Sequence, residues 1–511
     1  HGGPSHSGST TMPSTIGVSP ITVKAITGDI LLLSGTASYS GAKIGHGDHY
    51  FKLADFGTSS IAVEAGRDIR LVSPQFDTYS SISYASSQIG HGGFSAIVGP
   101  MPSTLGYSGD ITASAGGKID VLAGKNSGSY NWSLIGHNSY YNSTGLHTGN
   151  ITVTAGTVAG LSEYGVTVRG ASGDFMPFAG TNTTSGSYYS FASIGHRGHS
   201  NGPTTYYTGL HGDVLVDVIR GGVTLEGGDG VDGSTAADTP PDIRLHGAQI
   251  GHGGYQAGHN TFGLLGSVRV HAEGDIILRS GTSRHAAVVI GHGGYGSFGP
   301  IGQDGEVIEV ISRNGSLELD STLTINSARG GVLIGHGAPN STSGTRQGDV
   351  LVDVAGEISL VGSYSQIGHR TVTSGGISNA DLTLRARSFD RLSGDSGSDL
   401  FHIDVGLGTM MASSLATGHV SLLATGSEGL WLGGNIRQNS AFALNLLSTG
   451  NLYLTGHAVN QGSGAVNLVA GWDPSVSSLS GGAPTVPDAG GIPRQYLVRD
   501  IDMDTEIFGV A

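Results

Sequence analysis

Cysteine is absent from the 511 residues. That excludes a disulfide scaffold and the usual thiolate zinc sites. Charge is scarce as well, at 12% of residues, while 37% are hydrophobic, the reverse of a disordered chain's profile. No apolar run reaches the roughly 18 residues a membrane-spanning helix needs. Basic residues number 24 against 39 acidic ones, for a net charge of −15. Such a balance argues against nucleic acid or anionic lipid as a main partner. Proline is sparse (16 residues) and glycine, though abundant at 89, has no three-residue period, so collagen is excluded.

What the chain does have is a repeat. Ile-Gly-His occurs eight times, ending at His46, His91, His137, His196, His252, His292, His336 and His369. The chain opens on His1-Gly2-Gly3, which reads as a ninth copy cut in mid-repeat and predicts a segment of a longer polypeptide. Two shorter motifs recur between the histidines in fixed order. One is an alternating run opened by Gly-Asp-Ile or a relative, as at Gly109-Asp110-Ile111, Gly149-Asn150-Ile151, Gly212-Asp213-Val214 and Gly348-Asp349-Val350. A second alternating run follows after a short turn, as at Ile119 to Ala123 and Ile358 to Leu360. Period two, β-branched residues and Gly/Asp/Asn/Ser boundaries are strand signals, and no long helical periodicity appears.

Three strands per unit and a shortest histidine spacing of 33 residues fit one turn of a parallel β-helix better than a propeller blade. The expected fold is all-β: a right-handed parallel β-helix, a triangular solenoid of about eleven coils with long loops at two corners. At about 4.8 Å per coil the rod would be roughly 50 Å long. Residues 1–370 form the Ile-Gly-His region and 371–473 plainer coils; 474–511 read as a linker or the start of a further region.

Residues i and i+2 of a strand share a face, so Ala42, Ile44 and His46 would point inward and stack rung upon rung. A structural ladder is the favoured reading of His1, His46, His91, His137, His196, His252, His292, His336 and His369. Each neutral imidazole would donate to a corner carbonyl and pack on its neighbours. A metal file is the competing reading, set back by the missing carboxylates and thiolates, although His49 and His199 lie near the motif. Mutual repulsion would disfavour protonation and make the ladder acid-sensitive. No cofactor or metal is expected; Asp229 and Asp232 match a calcium nonapeptide once, where tandem copies are needed. Asp390, Asp395, Asp399 and Asp404, near Arg385, Arg387 and Arg391, would suit a glycan-cleaving groove but fall where the repeat ends. No catalytic motif of the nucleophile-elbow, phosphate-loop or zinc-protease kind is present.

The variable loops carry Tyr among Ser, Gly, Asn and Thr, the composition of recognition loops. Tyr140, Tyr141, Tyr188, Tyr189, Tyr206, Tyr207, Tyr255 and Tyr295 are the candidate ligand contacts; packing of the loops on the rod is the alternative.

Gly-Asp-Ile/Val runs, Gly-Asn-Leu-x-Leu coils, Ile-Gly-His-Gly-Gly and the closing Asn467-Leu-Val-Ala-Gly-Trp472-Asp together resemble large bacterial exoproteins of the filamentous-haemagglutinin type, over roughly residues 20 to 473. The family's N-terminal secretion domain is not recognisable. The resemblance implies two-partner secretion through an outer-membrane partner, or an autotransporter-like adhesin. It also implies an extracellular or bacterial cell-surface location and a role in attachment, cell–cell contact or matrix. Partners would be a glycan or protein on a host or neighbouring cell, or other copies of the rod. A polysaccharide lyase or glycoside hydrolase on a β-helix, and a self-assembling filament or sheath subunit, are the two alternatives.

Overall fold

The computed structural model describes residues 19–47, 59–76, 84–93, 106–125, 131–139, 145–171, 188–198, 208–229, 244–245, 247–254, 257, 262–282, 287–294, 297, 299–322, 331–337, 344–362, 365–369, 380–389, 418–427, 429–432, 436–438, 441–454, 458–460 and 462–472. Among them there is no helix, and so none long and apolar enough to cross a membrane. All strand pairing is parallel. A 12-stranded sheet runs from Ile21–Ala25 to Val466–Ala470, a 9-stranded sheet from Ile30–Leu33 to Ser388–Phe389, and an 8-stranded sheet from Ala42–Ile44 to Ser365–Ile367. The chain visits the three sheets in turn and then starts the next rung, an arrangement consistent with a parallel β-helix or solenoid.

Alternation builds each rung. In Ile61–Ala65 the residues Ile61, Val63 and Ala65 are buried while Ala62 and Glu64 face out. The register keeps like on like: Ile61 pairs with Ile111, Ile111 with Ile151, and Ile151 with Val214. One continuous apolar core results, extending from Ile30 to Ala458. A slip of one residue would turn every one of these side chains outward, so the aliphatic columns themselves set the register. The eight-stranded sheet differs in being buried on both faces, since its outward positions Gln88, Leu134, Ser193, Gln249, Val289 and Leu333 are also covered.

The Gly-Asp-Ile motif has a cross-rung role that the sequence reading left unexplained. Asp110 Oδ1 accepts the Asn150 N–H (2.8 Å), Asn150 Oδ1 the Asp213 N–H (2.9 Å) and Asp213 Oδ1 the Ser267 N–H (2.8 Å). Asp349 and Asp381 continue the column to Asp381 N and His419 N. These side chains satisfy amides that the turn would otherwise leave unpaired. Cross-rung ion pairs such as Lys24–Glu64 (2.8 Å) and Arg279–Glu318 (3.1 Å) lie on the exposed faces, where they add little.

The structure departs from three strands per unit in the middle rungs. Gly145–Thr148, Thr208–His211 and Leu264–Leu265 form an additional three-stranded sheet, extended by isolated bridges at Ser108, Ile301 and Arg346. The strands Gly145–Thr148 and Thr208–His211 lie in the longest histidine-to-histidine intervals, 59 and 56 residues. Leu264–Leu265 lies in an interval of only 40 residues, so the fourth side does not depend on a long interval.

Candidate functional site: a hydrogen-bonded histidine ladder

Each Ile-Gly-His ends a strand of the eight-stranded sheet. The isoleucines pair with one another from Ile44 to Ile367 and lie in the core. The next residue turns the corner. Gly136 has φ +155°, and a Cβ there would lie 2.1 Å from the Gly195 carbonyl oxygen of the following rung. Any side chain would be both strained and blocked by backbone, which accounts for glycine at this place in every copy.

Beyond the glycine, eight imidazoles from His46 to His369 stack in one column. Ring centroids are 5.1, 4.9, 4.6, 4.8, 4.7, 5.0 and 4.8 Å apart in order, with interplanar angles from 4° to 15°. Two hydrogen bonds hold each ring from His91 to His369, His336 excepted. The backbone N–H of every histidine donates to Nδ1 of the histidine in the following rung, at 2.9 to 3.2 Å from His46→His91 through to His336→His369. The opposite nitrogen, Nε2–H, donates to the carbonyl two residues before the first strand of its own rung. The acceptors are Ser59 for His91, Gly109 for His137, Gly149 for His196, Gly212 for His252, Gly266 for His292 and Gly348 for His369, at 2.6 to 2.9 Å. His46 reaches Ser19 at 3.5 Å.

This pattern determines the tautomer. A backbone N–H can only donate, so Nδ1 keeps its lone pair; a carbonyl can only accept, so Nε2 carries the proton. The ring is neutral, and neither nitrogen has a lone pair left for a metal. Each imidazole joins the end of a rung to that rung's beginning and fixes the rung before it. The chemistry available to the column is therefore scaffolding and proton uptake.

Burial resists that uptake. It lowers His91, His196, His292 and His369 from 6.5 to about 4, and holds His137, His252 and His336 well below their ordinary value. Neighbouring histidines contribute in the expected direction but rank behind burial. One rung breaks the pattern. Glu306 stands where five rungs have glycine and the first two have Ser19 and Ser59, and His336 Nε2 is buried with no acceptor among the described residues. The Glu306 carbonyl instead accepts the Asp349 N–H of the following rung at 3.0 Å.

Two further histidines escaped the sequence reading. His147 is buried, accepts the Tyr107 N–H on Nδ1 (3.1 Å) and is lowered to about 3, first by burial and then by His196. His211 donates from Nε2 to the Phe262 carbonyl. Both end a Thr-Gly-Leu-His tetrapeptide that occurs twice, at 144–147 and 208–211, a signal with too few copies to stand out beside the eightfold Ile-Gly-His.

Of the other candidates, Tyr188 and Tyr189 form a short strand paired with Arg244 and Leu245. Tyr140, Tyr141, Tyr206, Tyr207, Tyr255, Tyr295, His1, His49, His199 and Asp232 lie outside the described residues, as do Asp390, Asp395, Asp399, Asp404 and Arg391. Asp229 is exposed and accepts the Thr282 N–H at 3.2 Å. Arg385 is paired across rungs with Asp353 at 3.2 Å. Comparison of the chain with protein-family models, with curated proteins and with solved structures gives no match.

Proposed function

We propose that this chain is the stalk of an extracellular adhesive or structural fibre, a right-handed parallel β-helix of about eleven turns within a larger secreted exoprotein of the filamentous-haemagglutinin type. The observation that carries this reading is the repeated rung. Most first-to-second strand junctions are tight turns, as between Ala115 and Lys118, whereas the chain between rungs, and between the second and third strands, varies widely in length. Variable Tyr/Ser/Gly segments are thus strung along the same sides of a rigid support, which suits multivalent weak contacts. The scaffold is uniform and its insertions are not, the division of labour of an attachment rod.

On this reading the protein works at the bacterial surface, leaves the cell through an outer-membrane partner and engages a glycan or protein on another cell. The test uses the purified full chain immobilised on a surface. Saturable cell attachment is expected, reduced severalfold when Tyr140, Tyr141, Tyr206 and Tyr207 are changed together to Ser, with the β-sheet circular dichroism unchanged. Attachment indifferent to those tyrosines, or release of reducing ends from a polysaccharide, would defeat it. Concentration-dependent growth into long filaments without attachment would favour a self-assembling subunit instead.

A further inference from the structure

We propose that the outer corner of the rungs at Asn138 and Arg197 is a binding site for a compact oxyanion of the sulfate, phosphate or carboxylate class. This inference rests on the rung geometry alone and does not depend on the adhesive reading.

The corner lies just past the ladder, on the outside of the sheet. Asn138 and Arg197 directly follow ladder histidines and are register partners on adjacent strands. Most other rungs carry glycine there, namely Gly47, Gly92, Gly253, Gly293 and Gly337. The next rung shows which side chains share the outer side of this corner. A Cβ built on Gly253 would meet the Gly293 carbonyl oxygen at 1.9 Å and the Gln249 amide at 2.7 and 2.8 Å. Gly253 is the bridge partner of Arg197, and Gln249 the register partner of Ser193. Ser193 and Arg197 therefore occupy, one rung earlier, the positions of Gln249 and Gly253.

In the neighbouring rung the polar groups at these positions are satisfied. The Gln249 amide donates to the carbonyls of His252, Gly291 and Gly293 at 3.2, 3.0 and 2.9 Å. Where Ser193 and Arg197 stand, nothing equivalent occurs. Arg197 is 7% exposed, Asn138 1% and Ser193 0%. Yet Arg197 Nε and Nη1, Asn138 Nδ2 and Ser193 Oγ have no hydrogen-bond partner among the described residues. A buried donor left unpaired is costly, and a buried unpaired charge more so. The guanidinium lies 3.6 Å from the centre of the Phe191 ring, which is stacked on Trp132, so one face of the cation is held while its N–H edge is free.

The unpaired atoms are all donors or, in the hydroxyl, able to donate, and Arg197 among them carries a positive charge. That set is complementary to an anion with several acceptor oxygens, and the forked guanidinium favours an oxyanion over a halide. Burial lowers Arg197 to about 9, so the group remains protonated at neutral pH.

The experiment is equilibrium dialysis of radiolabelled sulfate against the full chain at low ionic strength. Saturable binding of about one sulfate per chain is expected. Arg197→Met should abolish it, Arg197→Lys should weaken it tenfold or more because the fork is lost, and Asn138→Leu or Ser193→Ala severalfold. Folding is controlled by thermal melting without sulfate, where Arg197→Met should melt no lower than the parent because it removes an unpaired buried charge. Sulfate should then raise the melting temperature of the parent and leave that of Arg197→Met unchanged. Displacement of the label by a sulfated disaccharide more tightly than by inorganic sulfate would assign the oxyanion to a glycan; the reverse order would assign it to a free ion. Absence of saturable binding to the parent, or binding to Arg197→Met equal to the parent's, would overturn the proposal.

Discussion

The Ile-Gly-His rungs and the plainer rungs after residue 380 solve one problem with different side chains. In both, the end of a rung must be tied to its beginning. His137 does so with an imidazole on the Gly109 carbonyl; Asn460 does so with its amide, donating to the Phe442 carbonyl at 3.0 Å, again two residues before the rung's first strand. The histidine also reaches the rung before it and stacks on rings above and below. Among the described residues, nothing in the plain region forms such a column. Polar contact between those rungs has moved outside, where Asn445 donates to Ser421 (3.0 Å) and Asn467 to Asn445 (2.8 Å) beside an apolar cluster of Leu423, Leu447 and Trp472. The contrast separates two functions that the ladder combines: closing a rung needs only an amide, whereas an aromatic ring with two opposed nitrogens also couples each rung to the next.

Acid should expose this difference most strongly. A folded-state histidine lowered to about 4 means the unfolded chain takes up protons first as pH falls below 6.5. Stability is fully present above 6.5, falls between 6.5 and 4, and below 4 does not recover. Each such histidine contributes roughly 3 kcal/mol to the loss. Glu306, Asp349 and Asp353, pushed up by burial, act with the opposite sign but are fewer. Hydrogen exchange at pH 7 and pH 4.5 should show amides of 89–369 losing protection before those of 444–470; equal loss in both regions would remove the distinction.

Within the ladder, His196→Ala should cost on the order of 4 kcal/mol by urea unfolding, because it strands the His137 N–H and the Gly149 carbonyl and opens a cavity. His196→Asn, borrowing the other region's solution, should lose clearly less. Gly136→Ala should cost about 3 kcal/mol in the same assay, from positive φ and the clash with the Gly195 carbonyl. The smallest effect belongs to the plain rungs, where Asn460→Ala should cost about 1 to 2 kcal/mol and leave the acid response of 89–369 unchanged.

Much of the scaffold was legible in the sequence because its cause is periodic. Inward columns such as Ile61, Ile111 and Ile151 repeat a burial requirement once per rung, and Ile-Gly-His repeats a corner. Features with a local explanation of their own stayed hidden. Asp110 and Asp213 read as turn residues, and only the stacked rungs reveal that their carboxylates serve the following turn. The Nδ1 bond of the ladder was equally silent, since it depends on the ring spacing in three dimensions. The fourth-side strand Gly145–Thr148, with His147, shares Thr-Gly-Leu-His with its partner Thr208–His211 alone, too few copies to announce a further side of the rung. Arg197 and Asn138 looked like ordinary departures from a glycine; their meaning comes from buried, unpaired donors that the sequence does not display.

Every bond from a ladder amide to the next imidazole points the same way along the axis. A rung therefore leaves one donor unanswered until its successor in the chain arrives, and no rung can complete itself. Folding of such a column is directional: each new turn finishes the one before it, so a chain emerging from its amino end would carry only a single unfinished turn at the growing front.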